Sequence, residues 1–219
     1  MPKTYQHFCP VARSLEVIGE KWSLLVVRDL LLGPQRFTDL QRYLGGITPK
    51  WLSQRLRDLE AAGIVERDSE PGRREVWYRL TEKGGALGPV VAALAVWGID
   101  YALRPPLPDE PVHPEQSMMA ITTYLNERGR RLLRPATWVL RFAGRGAHTV
   151  RFDGERWSTQ PGESEADVLI ETTPEEWVTF LTSNGRRRQA VRRLRIQGEP
   201  DRVEEFLQMF GATAKAAAR

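Results

Sequence analysis

One cysteine in 219 residues, Cys9, excludes an internal disulfide and fits a reducing compartment. Histidine is scarce as well. His7, His113 and His148 stand far apart, and no His/Cys/Asp/Glu group has the spacing of metal ligands. Long apolar runs are missing: Ser23–Leu32 is interrupted by Arg28-Asp29, and Leu87–Ile99 is too short to span a bilayer. The opening MPKTYQHFCPVARS lacks the apolar core of a signal peptide, so a cytoplasmic protein without a membrane segment is expected. Charge of one sign is also lacking. The net charge is +4; the first 104 residues carry 15 Lys+Arg against 12 Asp+Glu, and the rest 17 against 16. Bulk charge therefore does not argue for nucleic acid, and a local patch would have to. There is no Gly-rich phosphate loop and no Ser/His/Asp set around a nucleophile motif, so neither an enzyme nor a cofactor is expected. What remains is an ordinary globular composition, 41% hydrophobic and 27% charged, long enough for two modest domains.

The most informative stretch runs from Ile47 to Gly84. Thr48 is a good helix N-cap and Pro49 follows at the first helical position, where its missing N–H costs nothing. Leu52, Leu56 and Leu59 give one apolar stripe. Lys50, Gln54 and Arg57 fall on the opposite face, with Trp51 and Ser53 on its flanks, and Gly63 stops the helix. Two strand-like runs, IVERD and EVWYRL, are joined by Ser69-Glu-Pro-Gly-Arg-Arg74, a turn with two arginines beside its tip. A helix with exposed cationic and amide groups next to a hairpin with a basic tip is the outline of a DNA-binding winged helix.

The preceding segments fit that outline. Pro10 opens a helix whose stripe is Val11, Leu15 and Ile18, ending at Gly19. WSLLVVRDLLLG is apolar on nearly every side, as a buried central helix is. A short helix near Thr38 with Phe37, Leu40 and Leu44 buried, then Gly45-Gly46, completes a helix-turn-helix. From Thr81 a long helix is predicted to about Leu103, bent near Pro89. It carries Leu87, Val90, Val91, Leu94, Val96, Trp97, Ile99 and Tyr101, too much apolar surface for one stripe. The expected cover is the first helix of a second subunit; the plainer alternative is the downstream domain.

The ordered motifs CPVARSLEVIGEKWSLLVVRDLLLGPQRFTDLQRYL, GITPKWLSQRLRDLEAAGIVERD and YRLTEKGGALGPVVAALAVWG resemble the HxlR group of winged helix-turn-helix transcriptional regulators, over about Phe8 to Tyr101. That group is MarR-like. The resemblance implies a homodimer on double-stranded DNA, read by the helix Thr48–Ala62 and the wing around Gly72.

Five prolines in residues 104–114 make an extended connector and mark a boundary after a domain of residues 1–103. The second half reads as α+β, about five mostly antiparallel strands packed by helices. A helix over Ser117–Leu133 precedes TWVLRFAG, HTVRFDG, ERWSTQ and ADVLIETT, with Asp153-Gly154 a tight turn. Pro174 starts a helix, RRLRIQGE alternates as a half-buried strand, Asp201–Phe210 is a final helix, and residues 212–219 are a loosely held tail. ADVLIETTPEEWVTFL and RRLRIQGEPDRVEEFL, within residues 115–211, resemble the sterol-carrier-protein-like domain. That resemblance implies an apolar tunnel for a hydrophobic or amphipathic ligand. The six arginines in Arg186–Arg195 depart from it, and either add a site for an anionic head group, touch DNA, or form a solvated face.

The candidate DNA contacts are therefore Thr48, Lys50, Trp51, Ser53, Gln54 and Arg57 on the helix, and Arg73 and Arg74 on the wing. Trp51 has a second reading, as core. Cys9, at a helix start, is either a small buried hydrophobe or a redox or electrophile sensor, the place where the resembling regulators carry one. Trp138, Phe142, Trp177 and Phe180 either line a ligand pocket or are plain core. The function these readings support is a dimeric, palindrome-binding regulator, by default a repressor, with homodimer contacts through Val11–Ile18 and Leu87–Tyr101 and an effector in the second domain. The alternatives are a thiol-based sensor acting through Cys9, and a lipid or small-molecule binding protein.

Overall fold

A computed structural model of the chain describes residues 4–68, 75–108, 110–183 and 186–212. It divides into two compact units, Met1–Ala93 and Leu94–Arg219. The division falls inside a helix, before the proline-rich residues 104–114, which belong to the second unit.

The first unit is built from α1 (Pro10–Ile18), α2 (Ser23–Leu30), β1 (Gln35–Arg36), α3 (Phe37–Leu44), α4 (Pro49–Ala61), β2 (Val65–Asp68), β3 (Trp77–Leu80), α5 (Glu82–Gly85) and α6 (Gly88–Tyr101), the last crossing into the second unit. α2 is the centre, with Val26 and Val27 fully buried. Leu40 and Leu44 of α3 and the Leu52, Leu56, Leu59 stripe of α4 pack in the same core. Each such leucine contributes roughly 1.5–3 kcal/mol of burial. Phe37, expected in the core, is only half-buried. The sheet runs β1-β3-β2, all antiparallel, with Asp68 opposite Trp77. The two-residue strand β1 was not legible in the sequence, because two residues leave no period to read.

α4 ends in a Schellman arrangement. Ile64 N–H donates to Leu59 O and Gly63 N–H to Glu60 O, both at 2.9 Å, with Gly63 at φ 68°. The start of β2 is then tied to α5. Thr81 Oγ1 donates to Gly63 O (2.7 Å) and accepts from Gly84 N–H (3.0 Å), and a Cβ on Gly84 would lie 2.1 Å from Ile64 O. Only glycine allows that approach.

The long helix expected from Thr81 is in fact two. A turn at Ala86-Leu87 separates α5 from α6, just before Pro89, so the expected bend is a break. α6 buries no residue, and Val90, Leu94, Trp97 and Tyr101 are exposed. The α1 stripe is equally bare: Ile18 is buried, but Val11 is 65% and Leu15 42% exposed, and Phe8 beside it is 99% exposed.

The second unit has a five-stranded mixed sheet: β4 (Ala136–Phe142), β5 (Gly146–Phe152), β6 (Trp157–Pro161), β7 (Val168–Thr172) and β8 (Arg195–Gly198), in the order β6-β5-β4-β7-β8. Only the β4–β7 pair is parallel. One face is covered by α7 (Pro114–Glu127), α8 (Pro174–Thr182), α9 (Arg187–Val191) and α10 (Pro200–Met209). The helix placed at Ser117–Leu133 begins and ends earlier. Pro114 is its first residue, with φ preset for it, and Gly129 at φ 59° follows its end. Its far end is anchored to α6: Asp100 accepts from Tyr124 Oη at 3.1 Å and pairs with Arg128. The opposite face of the sheet carries Arg141, which bridges Glu163 (2.8 Å) and Glu171 (2.6 Å), beside the buried pair Val139 and Thr149. α8 starts at Pro174 as the sequence predicts, and the structure adds a full capping box from Thr173 and Glu176.

α9 was not foreseen. Arg187 on it donates to Phe210 O (2.7 Å) and Leu181 O (3.1 Å), so one guanidinium caps the C-terminal ends of α8 and α10. Its burial lowers its pKa below the usual arginine value. Arg193 and Arg195 of the same cluster are exposed. The tail from residue 213 lies outside the described residues.

His148 is buried on the helix-covered face of β5, its ring 6.2 Å from that of Phe142, and burial lowers its pKa below 6.5. The unfolded chain therefore binds a proton that the folded unit refuses, and stability falls as pH drops through the unfolded value of about 6.5. Chemical denaturation of wild type at pH 7 and pH 5 is expected to show that loss, and His148→Gln to shrink the difference between the two pH values. An unchanged difference in the variant would remove His148 as its source.

Candidate nucleic-acid interface

α4 is held at both ends and along one side, and this fixes what it shows. Thr48 Oγ1 accepts from Trp51 N–H at 3.3 Å at its start, while Lys83 Nζ donates to Ala62 O at 2.7 Å at its end. Leu52, Leu56 and Leu59, all at most 2% exposed, fix its rotation. Lys50, Trp51, Gln54, Arg57 and Asp58 then lie outward, and Ser53 is half-buried on the flank. Of the two readings of Trp51, the core one does not hold, because the side chain is 59% exposed. Thr48, Lys50, Trp51, Gln54 and Arg57 are thus brought to one surface, beside the paired strands β2 and β3. Arg73 and Arg74 lie outside the described residues.

The polar groups on this surface are not independent. Arg57 Nη2 donates to Gln54 Oε1, and Gln54 Nε2 donates to Asp58 Oδ1, each at 2.8 Å. Gln54 therefore has both ends of its amide engaged, and Asp58 adds a negative charge that the sequence reading did not weigh. Sequence reasoning also passed over Arg55. It is 6% exposed, with Nη1 3.3 Å from Asp58 and Nη2 4.0 Å from Glu20, in the connection between α1 and α2. The signal was present: Arg55 falls three after Leu52 and four before Leu59, on the apolar stripe. A second cation, Arg36, binds Asp39 and Glu75 at 2.9 Å each and lies 5.6 Å from the Trp77 ring, tying the start of α3 to the chain entering β3. Arg36 holds the Asp39 carboxyl below its usual range, chiefly by its hydrogen bond.

The remaining candidates lie elsewhere. Cys9 is a free, half-buried thiol at the N-cap of α1. Trp138, Phe142, Trp177 and Phe180 are each at most 2% exposed, within the core of the second unit. Three of them pack against other aromatic rings: Trp138 lies 4.6 Å from Trp157 and 5.0 Å from Phe206, Trp177 5.4 Å from Phe180, and Phe180 5.6 Å from Phe210.

Residues 17–105 match the family described as HxlR-like helix-turn-helix. The HTH-type transcriptional regulator YvaP of Bacillus subtilis is 34% identical over 95 residues, which are 42% of this chain and 88% of YvaP. The chain belongs to the HxlR-like helix-turn-helix family. The HTH-type transcriptional regulator Rv3095 of Mycobacterium tuberculosis is 44% identical over 98 residues, 43% of this chain; the match spans 60% of that relative's length. Among solved structures, the redox regulator HypR in its oxidized form is 38% identical, covers 43% of this chain and 99% of its own, and has a TM-score of 0.42. The family match ends at residue 105, so within the second unit it reaches only residues 94–105 and leaves the five-stranded sheet and the helices on it unmatched.

If α4 approaches phosphates, Asp58 opposes it. Asp58→Asn is expected to raise affinity for a non-specific duplex several-fold at low salt, measured by fluorescence anisotropy, with little change at high salt. A decrease would mean that the ion pair of Asp58 with Arg55, at 3.3 Å, matters more than its repulsion of phosphate.

Proposed function

We propose that this HxlR-like protein is a DNA-binding transcriptional regulator, a repressor by default, that acts as a homodimer on a palindromic operator in the cytoplasm. The observation that carries the proposal is the outward face of α4, a cationic and amide-bearing helix surface rotationally fixed beside the β2–β3 pair. Such a helix in the major groove puts its first residues at base edges. The chain works by binding and not by catalysis.

The bare apolar faces of α1 and α6 support the dimer. Phe8, Val11 and Leu15 on one side, and Leu94, Trp97 and Tyr101 on the other, are a cost in water that a second copy would remove. A bilayer is the other apolar cover, and the stretch Glu82–Tyr101 is long and apolar enough for one by length and composition. Its break at Ala86-Leu87 argues against that. The 14 residues of α6 alone rise about 21 Å, short of the roughly 30 Å hydrocarbon thickness. In this reading the second unit takes a hydrophobic or amphipathic effector, and the bound effector shifts the affinity of the two heads for DNA.

Footprinting over the promoter upstream of the protein's own gene is expected to show two protected half-sites about one helical turn apart, with sedimentation giving a dimer. Binding should weaken steeply between 50 and 200 mM salt, and Lys50→Ala should lower the salt slope by about one. A promoter with no protection at low salt would sink the regulator reading. For the effector, oleate is the probe: it should raise the melting temperature of the full chain and change its affinity for the protected fragment. A change in neither would remove the effector clause and leave the DNA reading standing.

A further inference from the structure

We propose that Trp51 is the thymine-reading residue of α4, its indole covering the C5-methyl group of a thymine in the major groove. The inference rests on the DNA-binding reading above and specifies which base the helix selects and how.

Every other tryptophan of the chain has a partner. Trp138 and Trp157 pack on each other, and Trp177 on Phe180. Trp97 lies 5.9 Å from Tyr101. Trp77 has the Arg36 guanidinium over it and Trp22 the Lys21 amine. Trp51 has none: among the described residues no ring or cation meets its indole, and only its backbone N–H is engaged, by the Thr48 hydroxyl. More than half of a large apolar side chain is left in water at the third residue of α4. The helix that carries it is rotationally fixed, so the exposure is built in and not a matter of a loose end.

The polar neighbours strengthen the assignment. Reading adenine with Gln54 requires both ends of its amide, and both are already committed, to Arg57 and to Asp58. Asp58, on the later turns of the helix, is itself taken up by Gln54 and by an ion pair with Arg55. The first turn, with Lys50 and Trp51, is the part of the outward face free of such commitments. Its chemistry is one cation, one broad apolar surface and one indole N–H donor. Among the four base edges of the major groove, thymine alone offers a methyl group beside an acceptor, O4. Guanine offers two acceptors and no apolar group, adenine an acceptor and a donor, and cytosine a donor. Thymine is the edge that matches an indole, and Lys50 at the preceding position suits the neighbouring phosphate.

The test starts by enriching a randomised duplex pool on the full-length protein. The recovered site is then made with thymine and with deoxyuridine, which removes the methyl and keeps O4. Affinities are measured for wild type, Trp51→Ala and Trp51→Phe at one salt concentration, with circular dichroism confirming that the exposed substitutions leave the fold intact. Wild type is expected to weaken about fourfold for each methyl lost from a contacted position, the worth of one buried methylene-sized group. Trp51→Ala should bind the thymine and uracil duplexes equally, and Trp51→Phe should keep most of the discrimination. Equal binding of both duplexes by wild type, or an undiminished preference for thymine in Trp51→Ala, would overturn the assignment while leaving DNA binding intact. Failure of the wild-type protein to enrich any sequence at low salt would overturn the DNA-binding reading, and the assignment with it.

Discussion

The burial of three leucines on one side of α4 is the constraint on which the candidate surface depends. Leu52, Leu56 and Leu59 are sealed into the first unit's core, and a helix held along such a stripe cannot rotate without exposing them, at a cost of several kcal/mol. That rotation decides which side chains meet a ligand. It turns Lys50, Trp51, Gln54 and Arg57 outward and draws Arg55 inward against Glu20 and Asp58. The end of the helix is locked by a second set of bonds, in which Gly63, Ile64, Thr81 and Gly84 close on one another. Helix α4 and the strands beside it are therefore one mechanical piece, although its candidate contact side chains are all on the surface.

The second unit solves a different problem. Its sheet carries its main core on one face, although Val139 and Thr149 are buried on the other, and the residues on the core face are large: three tryptophans and five phenylalanines line up among the strands and helices that cover it. Aromatic rings in tilted and edge contacts fill space with few atoms able to form hydrogen bonds. The unit thus reconciles a very arginine-rich sequence with an apolar interior by sending most arginines outward and using one, Arg187, to close two helix ends.

Much of this was legible in the sequence where local chemistry is strong. The cap at Thr48 with Pro49, the stop at Gly63, the Asp153-Gly154 turn and the helix start at Pro174 each name a boundary, and the elements stand there. Period-two patterns located β4 to β7. The misses have physical causes. The sequence puts the start of α7 three residues late, at Ser117, because Pro114 reads as one of the linker prolines, while its fixed φ also suits a helix start. β1 and α9 are too short to show a period. Arg55 was lost because a charged residue on an apolar stripe reads as surface, and pairing is invisible in one dimension. The side-chain bonds joining Arg57, Gln54 and Asp58 were equally hidden, since spacing permits them without requiring them. Arg73 and Arg74, expected at the tip of the hairpin, lie outside the described residues, which include its paired strands β2 and β3.

The strand order of the second unit has a consequence for how the chain is made. Its central strand β4 pairs on one side with β5, which follows within a few residues, and on the other with β7, which is synthesised some thirty residues later, in parallel. Pairing across such a separation carries a loop-closure cost that local helices do not. The helical first unit, complete in sequence by about residue 93, is thus the part that organises during synthesis, with the sheet maturing behind it. Until β7 arrives, one flank of β4, which carries Trp138 and Phe142, offers open backbone hydrogen bonds, the kind of edge that invites pairing with another chain.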